Sequence, residues 1–369
     1  MTETNSQGRF RSAHWISFGA LALGLLLTWL GVSRLEAIVQ QNAQSQFDRL
    51  GTKIEQDLNR RVHFPLYGLR GLAGLYAADD HVNRQDVKEF VNSLDIDRHF
   101  PGLRGLGHIS RVERGQLDAF IAAQRADQAP DFKVKTKGNA PDLYVIDTIE
   151  PIERNRAAQG FDVGQEARRR QGVEQAIATG LPTLTHRITL VQDKQKRPGL
   201  LFYMPVFAPG VPVERLAPAE RKRALRAIVY TPLVLEELMN GLMDVAERQL
   251  DIMLDEPVQG EPQPDQLYAW QKDGGQKDGG QKSAKPRISK TSIVKIGDRD
   301  WRLTLASNAN FEQSLDHGTS IWLAAAGGVM SVMLALVLWL MSTRREKAEG
   351  MAAAMTQDLE RLAQIVRLT

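Results

Sequence analysis

The chain has 369 residues, 43% of them hydrophobic, enough to bury the cores of two or three domains. Its formal charge is +3, from 47 basic and 44 acidic residues, so no basic field points to a nucleic-acid partner and none is expected. It contains no cysteine, which excludes disulfides, thiol nucleophiles and cysteine-ligated metal or iron–sulfur centres.

Residues 1–14 carry Arg9 and Arg11 and read as a cytoplasmic N-terminus. The first transmembrane helix is placed at 15–33, where residues 15–32 hold no charge. A cleaved signal peptide is the alternative; the length of the apolar stretch and the lack of a small-x-small site before Arg34 favour a retained anchor. A second uncharged run at 321–341 gives a transmembrane helix at 319–341, followed by Arg344, Arg345 and Lys347. With basic residues outside both ends, both termini face the cytoplasm and residues 34–318 face the periplasm of a bacterial inner-membrane, two-pass protein. Trp15, Trp29, Trp322 and Trp339 bracket the two spans as interfacial anchors.

Beyond the first span, Leu35, Val39, Phe47, Leu50, Ile54 and Leu58 recur at helical spacing and predict a stalk helix over 34–62. That stripe serves equally a parallel coiled coil or a helix packed on its own domain. Gly68, Gly71 and Gly74 make a small-residue helix face suited to close packing. Strand-forming segments follow at 106–112, 144–149, 186–192, 199–207 and 227–231, with helix-period segments at 114–127, 164–179 and 232–248. A second strand set lies at 249–254, 267–271, 288–296 and 301–306. The mixed order with short connections predicts an α+β fold with antiparallel sheets, divided into a distal part at about 63–240 and a proximal part at about 241–318. Within the second set, Gln-Lys-Asp-Gly-Gly occurs twice in tandem over 271–280, which reads as a flexible solvated loop. Residues 342–369 predict a cytoplasmic connector helix, with Met351, Met355, Leu359, Leu362, Ile365 and Val366 at helical spacing.

Catalytic signatures are missing. There is no P-loop, no Gly-x-Ser-x-Gly and no His-Glu-x-x-His, and the glycines at 102, 105 and 107 do not make a dinucleotide fingerprint. His99 and His108 are close in sequence but lack a third ligand. No catalytic residue, metal or cofactor is expected. Asp162, before Val163-Gly164-Gln165, has the placement of an N-cap.

One ordered set of motifs remains. Residues 100–107 read Phe-Pro-Gly-Leu-Arg-Gly-Leu-Gly and precede Arg111-Val112; residues 145–151 read Val-Ile-Asp-Thr-Ile-Glu-Pro and precede Asn155. Gln-Gly-Phe-Asp stands at 159–162, Ala-Thr-Gly-Leu-Pro-Thr-Leu-Thr at 178–185, Ile-Thr-Leu-Val-Gln-Asp at 188–193 and Phe-Tyr-Met-Pro-Val-Phe at 202–207. This order resembles the CHASE domain, the extracellular sensor of plant cytokinin receptor kinases and of many bacterial histidine kinases and diguanylate cyclases. The resemblance implies a long stalk helix followed by two PAS-like subdomains, the distal one binding ligand. It also implies that Glu150 and Thr185 contact the ligand, with Tyr203 and Asp147 as further candidates. The plant receptors carry Asp-Thr where this chain has Glu150-Pro151, so the ligand is expected to be a small organic molecule, adenine-derived or other. The expected function is a membrane-bound sensor, working as a parallel homodimer, that signals to a histidine kinase or diguanylate cyclase output. The alternative is a stand-alone membrane-anchored binding or scaffolding protein with no catalytic output.

Overall fold

The computed structural model describes residues 6–270, 286–315 and 318–367. The tandem Gln-Lys-Asp-Gly-Gly repeat lies outside these residues. The chain divides into two compact units, one of residues 1–46 and 313–369 and one of residues 47–312.

The second unit is the α+β body. Helix α1 (Ser6–His63) contributes its last part, α2 (Pro65–Ala78) follows directly, and α3 (Arg84–Ser93) starts at a capping box. There the Asn83 side chain accepts from the amides of Gln85 and Asp86, while Asp86 Oδ2 accepts from the Asn83 amide, so the first-turn donors are satisfied locally. The distal sheet contains β1 (Leu106–Glu113), β2 (Asp142–Glu150), β3 (Thr183–Leu184), β4 (Ile188–Thr189), β5 (Pro198–Phe207) and β6 (Leu225–Val234). Its order is β2-β1-β6-β5-β3 with β4 also on β5, and every pairing is antiparallel. Between these strands run α4 (Leu117–Ala126) and α5 (Ala167–Thr179). Asp162 does cap the short helical turn Val163–Gln165, accepting from the Gly164 amide at 2.9 Å. Gly180, at φ +73°, ends α5 in the left-handed conformation that only glycine adopts cheaply.

Both faces of the distal sheet are covered. On one, Ile109, Tyr144, Ile146, Ile149, Leu201, Tyr203, Ile228 and Tyr230 pack with Val173, Ala176 and Ile177 of α5. On the other, Leu143, Val145 and Val112 pack with Phe132 and with Leu117, Phe120 and Ile121 at α4. Each such side chain contributes roughly 1.5–3 kcal/mol on burial. The glycines of α2 act as the sequence predicts: Gly68 lies against Leu106 and Gly71 against the ring of Phe90, whereas Gly74 faces open space.

Two expected elements differ. The strand expected at 186–192 shrinks to the two residues of β4, because the carbonyls of Arg187 and Thr189 accept from Arg168 Nη1 (2.7 Å) and Arg169 Nη2 (2.6 Å) instead of a neighbouring strand. The helix expected at 232–248 is instead the end of β6, where residues 231–234 pair with β5, followed by the single turns Leu235–Leu238 and Leu242–Val245 on either side of Gly241 at φ +79°. The longer sheet pairing outweighs the helical periodicity.

The proximal sheet holds β7 (Leu250–Glu256), β8 (Asp265–Trp270), β9 (Ser289–Ile296) and β10 (Arg299–Ser307), in antiparallel order β8-β7-β10-β9. Its inward side chains, among them Ile252, Leu254, Trp301, Leu303 and Leu305, are buried. Phe47, Leu50, Ile54 and Leu58 of α1 are buried as well; Gly51 approaches Leu305, and the Phe47 ring meets Phe311 edge-on at 6.1 Å. From Phe47 onward the stalk stripe is therefore spent on its own domain. The fold is α+β, a long helix followed by two antiparallel sheets in series.

In the other unit, α1 and α6 (Gly318–Arg367) are both long and apolar enough to cross a membrane. Trp15, Phe18, Trp29, Ile321, Trp322 and Met330 are each at least 63% exposed. The two helices approach at small residues, Gly24 against Ser331 and Gly327 against Thr28, with both hydroxyls returned to the carbonyl four residues earlier. Close approach at small residues is how helices associate in lipid, where apolar surface gives no drive of its own.

Candidate functional site

The four residues expected in the pocket lie on opposite faces of the distal sheet. Asp147 is the extra residue of a β-bulge: His108 is opposite Thr148 and Ile109 opposite Ile146. Its carboxylate lies toward His108 and Ser110, on the face of Leu143 and Val145 and away from the α5 side. His108 Nδ1 lies 2.9 and 3.0 Å from its two oxygens, Ser110 Oγ donates at 2.5 Å, and Arg84 Nη1 donates to its carbonyl at 2.7 Å. The Tyr76 ring stacks on His108 at 4.5 Å, and burial, reinforced by the Asp147 charge, pushes the Tyr76 phenol well above its usual range. Asp147 thus has both oxygens engaged and joins α2, α3 and β1.

Glu150 follows Ile149, which faces α5, so strand alternation sends Glu150 to the other side as well. Its Oε2 accepts from the Ile152 amide at 3.0 Å, and burial pushes its carboxyl up.

Thr185 and Tyr203 are brought together on the α5 side. Thr185 exchanges two hydrogen bonds with Leu201, Oγ1 accepting from the amide at 3.0 Å and its own amide donating at 2.9 Å. Gly172 of α5 sits against both; a methyl there would lie 3.0 Å from Thr185 Cγ2 and 3.2 Å from Tyr203 Cε2.

On this same side lies a narrow cleft. It is lined by Ile146, Ala158, Phe161 and Val163 on one wall, Leu190, Val191, Gln192 and Leu201 on the other, and Arg169 and Tyr230. Its volume of about 10 Å³ admits about one water molecule. Arg169 is buried, with its guanidinium 5.4 Å from the centre of the Phe161 ring. It donates to Glu166 Oε2 at 3.1 Å and to the Thr189 carbonyl at 2.6 Å. Gln192 Nε2 donates to Asn155 Oδ1. Tyr230, directly opposite Tyr203 in the sheet, is buried as fully as Tyr203, and neither hydroxyl has a hydrogen-bond partner. Leaving a buried hydroxyl unpaired costs about 1–3 kcal/mol. Burial pushes both phenols far above their usual range, so both keep their protons.

Arg169 and Tyr230 are the polar cleft residues that lie outside the motifs. A signal for each was present: Tyr230 alternates with Ile228 on a strand, and Arg169 is the middle of three arginines on a helix with an apolar stripe.

A second polar cluster joins the two sheets. The ligating atoms of His186, Glu256 and Asp265 lie within 4.8 Å of one another, as metal ligands would. Two guanidinium groups occupy the positions a cation would need: Arg299 Nη1 is 2.7 Å from His186 Nε2, and Arg168 Nη1 is 2.7 Å from Asp265 Oδ2. Arg299 also donates to the Leu184 carbonyl at 2.9 Å. The cluster works as an ionic tie between the sheets.

The family follows from the sequence itself: the CHASE domain model matches residues 80–268, just over half of the chain, and the chain belongs to that family. None of the curated proteins matches. Among solved structures, the chain is similar to the periplasmic sensory domain of a Campylobacter jejuni chemoreceptor, with 10% identity, a TM-score of 0.44, and coverage of 75% of this chain and 98% of that one. It is also similar to the ligand-binding domain of a Pseudomonas aeruginosa amino acid chemoreceptor in complex with GABA, with 13% identity, a TM-score of 0.36, and coverage of 69% and 94%.

Proposed function

We propose that the chain is a two-pass inner-membrane sensor that binds a small molecule in the α5-side cleft of its distal sheet and passes the bound state to a cytoplasmic output of histidine kinase or diguanylate cyclase type. One observation carries the choice of cleft: the buried, unpartnered hydroxyl of Tyr230 in the lining of a cleft in a CHASE domain. Native proteins rarely leave such groups unsatisfied, and a ligand that pairs them recovers the desolvation cost. Pockets of this kind are mostly apolar with a few converging polar groups, and this one has Arg169, Gln192 and Tyr230 among aliphatic walls.

Binding shifts a two-state equilibrium only by the difference in affinity for the two states. The element to be shifted is the α1–α6 pair, packed at Gly24–Ser331 and Gly327–Thr28. The parallel homodimer draws on α1 before Phe47, where Ile38 is 53% exposed.

The test is thermal unfolding of the purified full chain in detergent against a library of small metabolites. A ligand at a hundred times its Kd stabilises by about 2.7 kcal/mol, a shift of several degrees. Stabilisation by at least one compound, lost when Ala158→Leu fills the cleft, supports the reading; a library without effect, or full stabilisation in Ala158→Leu, refutes it. Topology has its own check: alkaline phosphatase inserted after Lys282 is active and a fusion after Lys347 inactive, while the reverse pattern overturns the orientation.

A further inference from the structure

Resting on that cleft as the ligand site, we infer that its ligand is a short aliphatic carboxylate, whose acid group is held by Arg169 and by the hydroxyl of Tyr230.

The donors and acceptors of the cleft decide what it can bind. Arginine has five N–H donors and no acceptor. The two bonds to Glu166 and Thr189 engage two of them. The Tyr230 hydroxyl is protonated and unpaired. Gln192 has already given a donor to Asn155. Among the described residues lining the cleft, none is acidic. The site therefore holds unspent donors around a guanidinium that Glu166 engages at one nitrogen, which suits a ligand rich in acceptors that can take the remaining N–H groups, as a carboxylate does. Hydrogen bonds between a guanidinium and a carboxylate are about twice as strong as neutral ones.

The same inventory disfavours an adenine-type ligand. Recognition of a ring or amine N–H by an acidic side chain would fall to Asp147 or Glu150, and both point to the opposite face of the sheet. Asp147 is moreover fully engaged by His108 and Ser110. Size sets the rest. A cleft that admits about one water takes a small headgroup, and the aliphatic side chains of Ile146, Ala158, Val163, Leu190 and Leu201 suit a short hydrocarbon tail directed to the mouth at Val191, which is 39% exposed.

The experiment uses the full chain in detergent at pH 7, titrated calorimetrically with acetate, propionate and butyrate, and with propionamide, propylamine and adenine, all against sodium chloride of equal ionic strength. At least one of the three carboxylates binds, and it binds at least tenfold tighter than the amide, amine or base. Tyr230→Phe weakens that binding about tenfold while the unliganded variant melts at the same temperature or higher, because it loses an unpaired hydroxyl. Arg169→Gln abolishes binding; since Arg169 also holds the Thr189 carbonyl, Tyr230→Phe remains decisive if that variant does not fold. Equal binding of propionamide or adenine overturns the carboxylate assignment. So does silence from all three acids, or unchanged affinity in Tyr230→Phe. These failures differ from failure of the cleft reading, in which no compound in the metabolite library stabilises the chain.

Discussion

Asp142 offers a test of whether the distal sheet is closed by charge as well as by packing. It stands at the start of β2, 7% exposed, where three elements converge. Arg111 Nε of β1 lies 3.0 Å from Oδ2, Lys222 Nζ 2.8 Å from Oδ2, and Arg170 Nη1 of α5 3.4 Å from Oδ1. Burial alone raises its pKa; the hydrogen bonds and charges of Lys222 and Arg111 outweigh that and hold it at about 2. Its ordinary value is 3.8. At about 1.36 kcal/mol per pH unit, the difference is about 2 kcal/mol of stability. Lys222 and Arg111 are 37% and 29% exposed, so salt screening lowers this toward about 1 kcal/mol. Because the folded value lies below the unfolded one, the contribution is complete above pH 4 and is lost as pH falls toward 2. Thermal unfolding of the full chain and of Asp142→Asn at pH 6, 4, 3 and 2.5 should give a gap that narrows by about 1–2 kcal/mol across that window. A gap of constant size from pH 6 to pH 2.5 would refute the charge argument and leave only a geometric role for the side chain.

Gly107→Ala should cost roughly 2–4 kcal/mol, seen as a lower melting temperature, because the added methyl would lie 2.3 Å from the Thr148 carbonyl oxygen and 2.8 Å from the Tyr230 ring. Gly74→Ala, in open space on α2, is the control and should be neutral or stabilise by about 0.5–1 kcal/mol. Phe47→Ala should cost about 3–5 kcal/mol in the same assay, since the ring is fully buried against Phe311; a loss under about 1 kcal/mol would contradict the packing of the stalk on its own domain. The absence of cysteine makes cross-linking clean: single cysteines at residues 35–46 in membranes should form disulfides with helical periodicity, whereas positions 47, 50, 54 and 58 should not react, and a flat pattern over 35–46 would remove the proposed dimer face.

The sequence alone settled what depends on local periodicity and on chain-wide composition. Two charge-free runs define the apolar helices; β-branched and aromatic clusters place nine of the ten strands among the described residues; and the ordered motifs from Phe100 to Phe207 reveal the CHASE family, because each records a local geometry such as the Asp162 cap. What the tertiary structure decided is which side chains share a face. Alternation puts Asp147 on the face of Leu143 and Val145, and the bulge there shifts the strand by one residue so that Glu150 joins it; both face away from Thr185 and Tyr203. Partners distant in the chain decided the rest: Arg169 and Tyr230, 61 positions apart, meet at the cleft only because α5 packs on β5, the strand that pairs with β6, and β4 is short because arginines of α5 claim carbonyls there. Likewise the stripe of α1 fits a coiled coil and a core equally well as a pattern of spacing, and the choice fell to the core because β10 presents Leu305 and the following turn presents Phe311 to it. Periodicity states that a face is apolar; only the assembled fold supplies the surface that covers it.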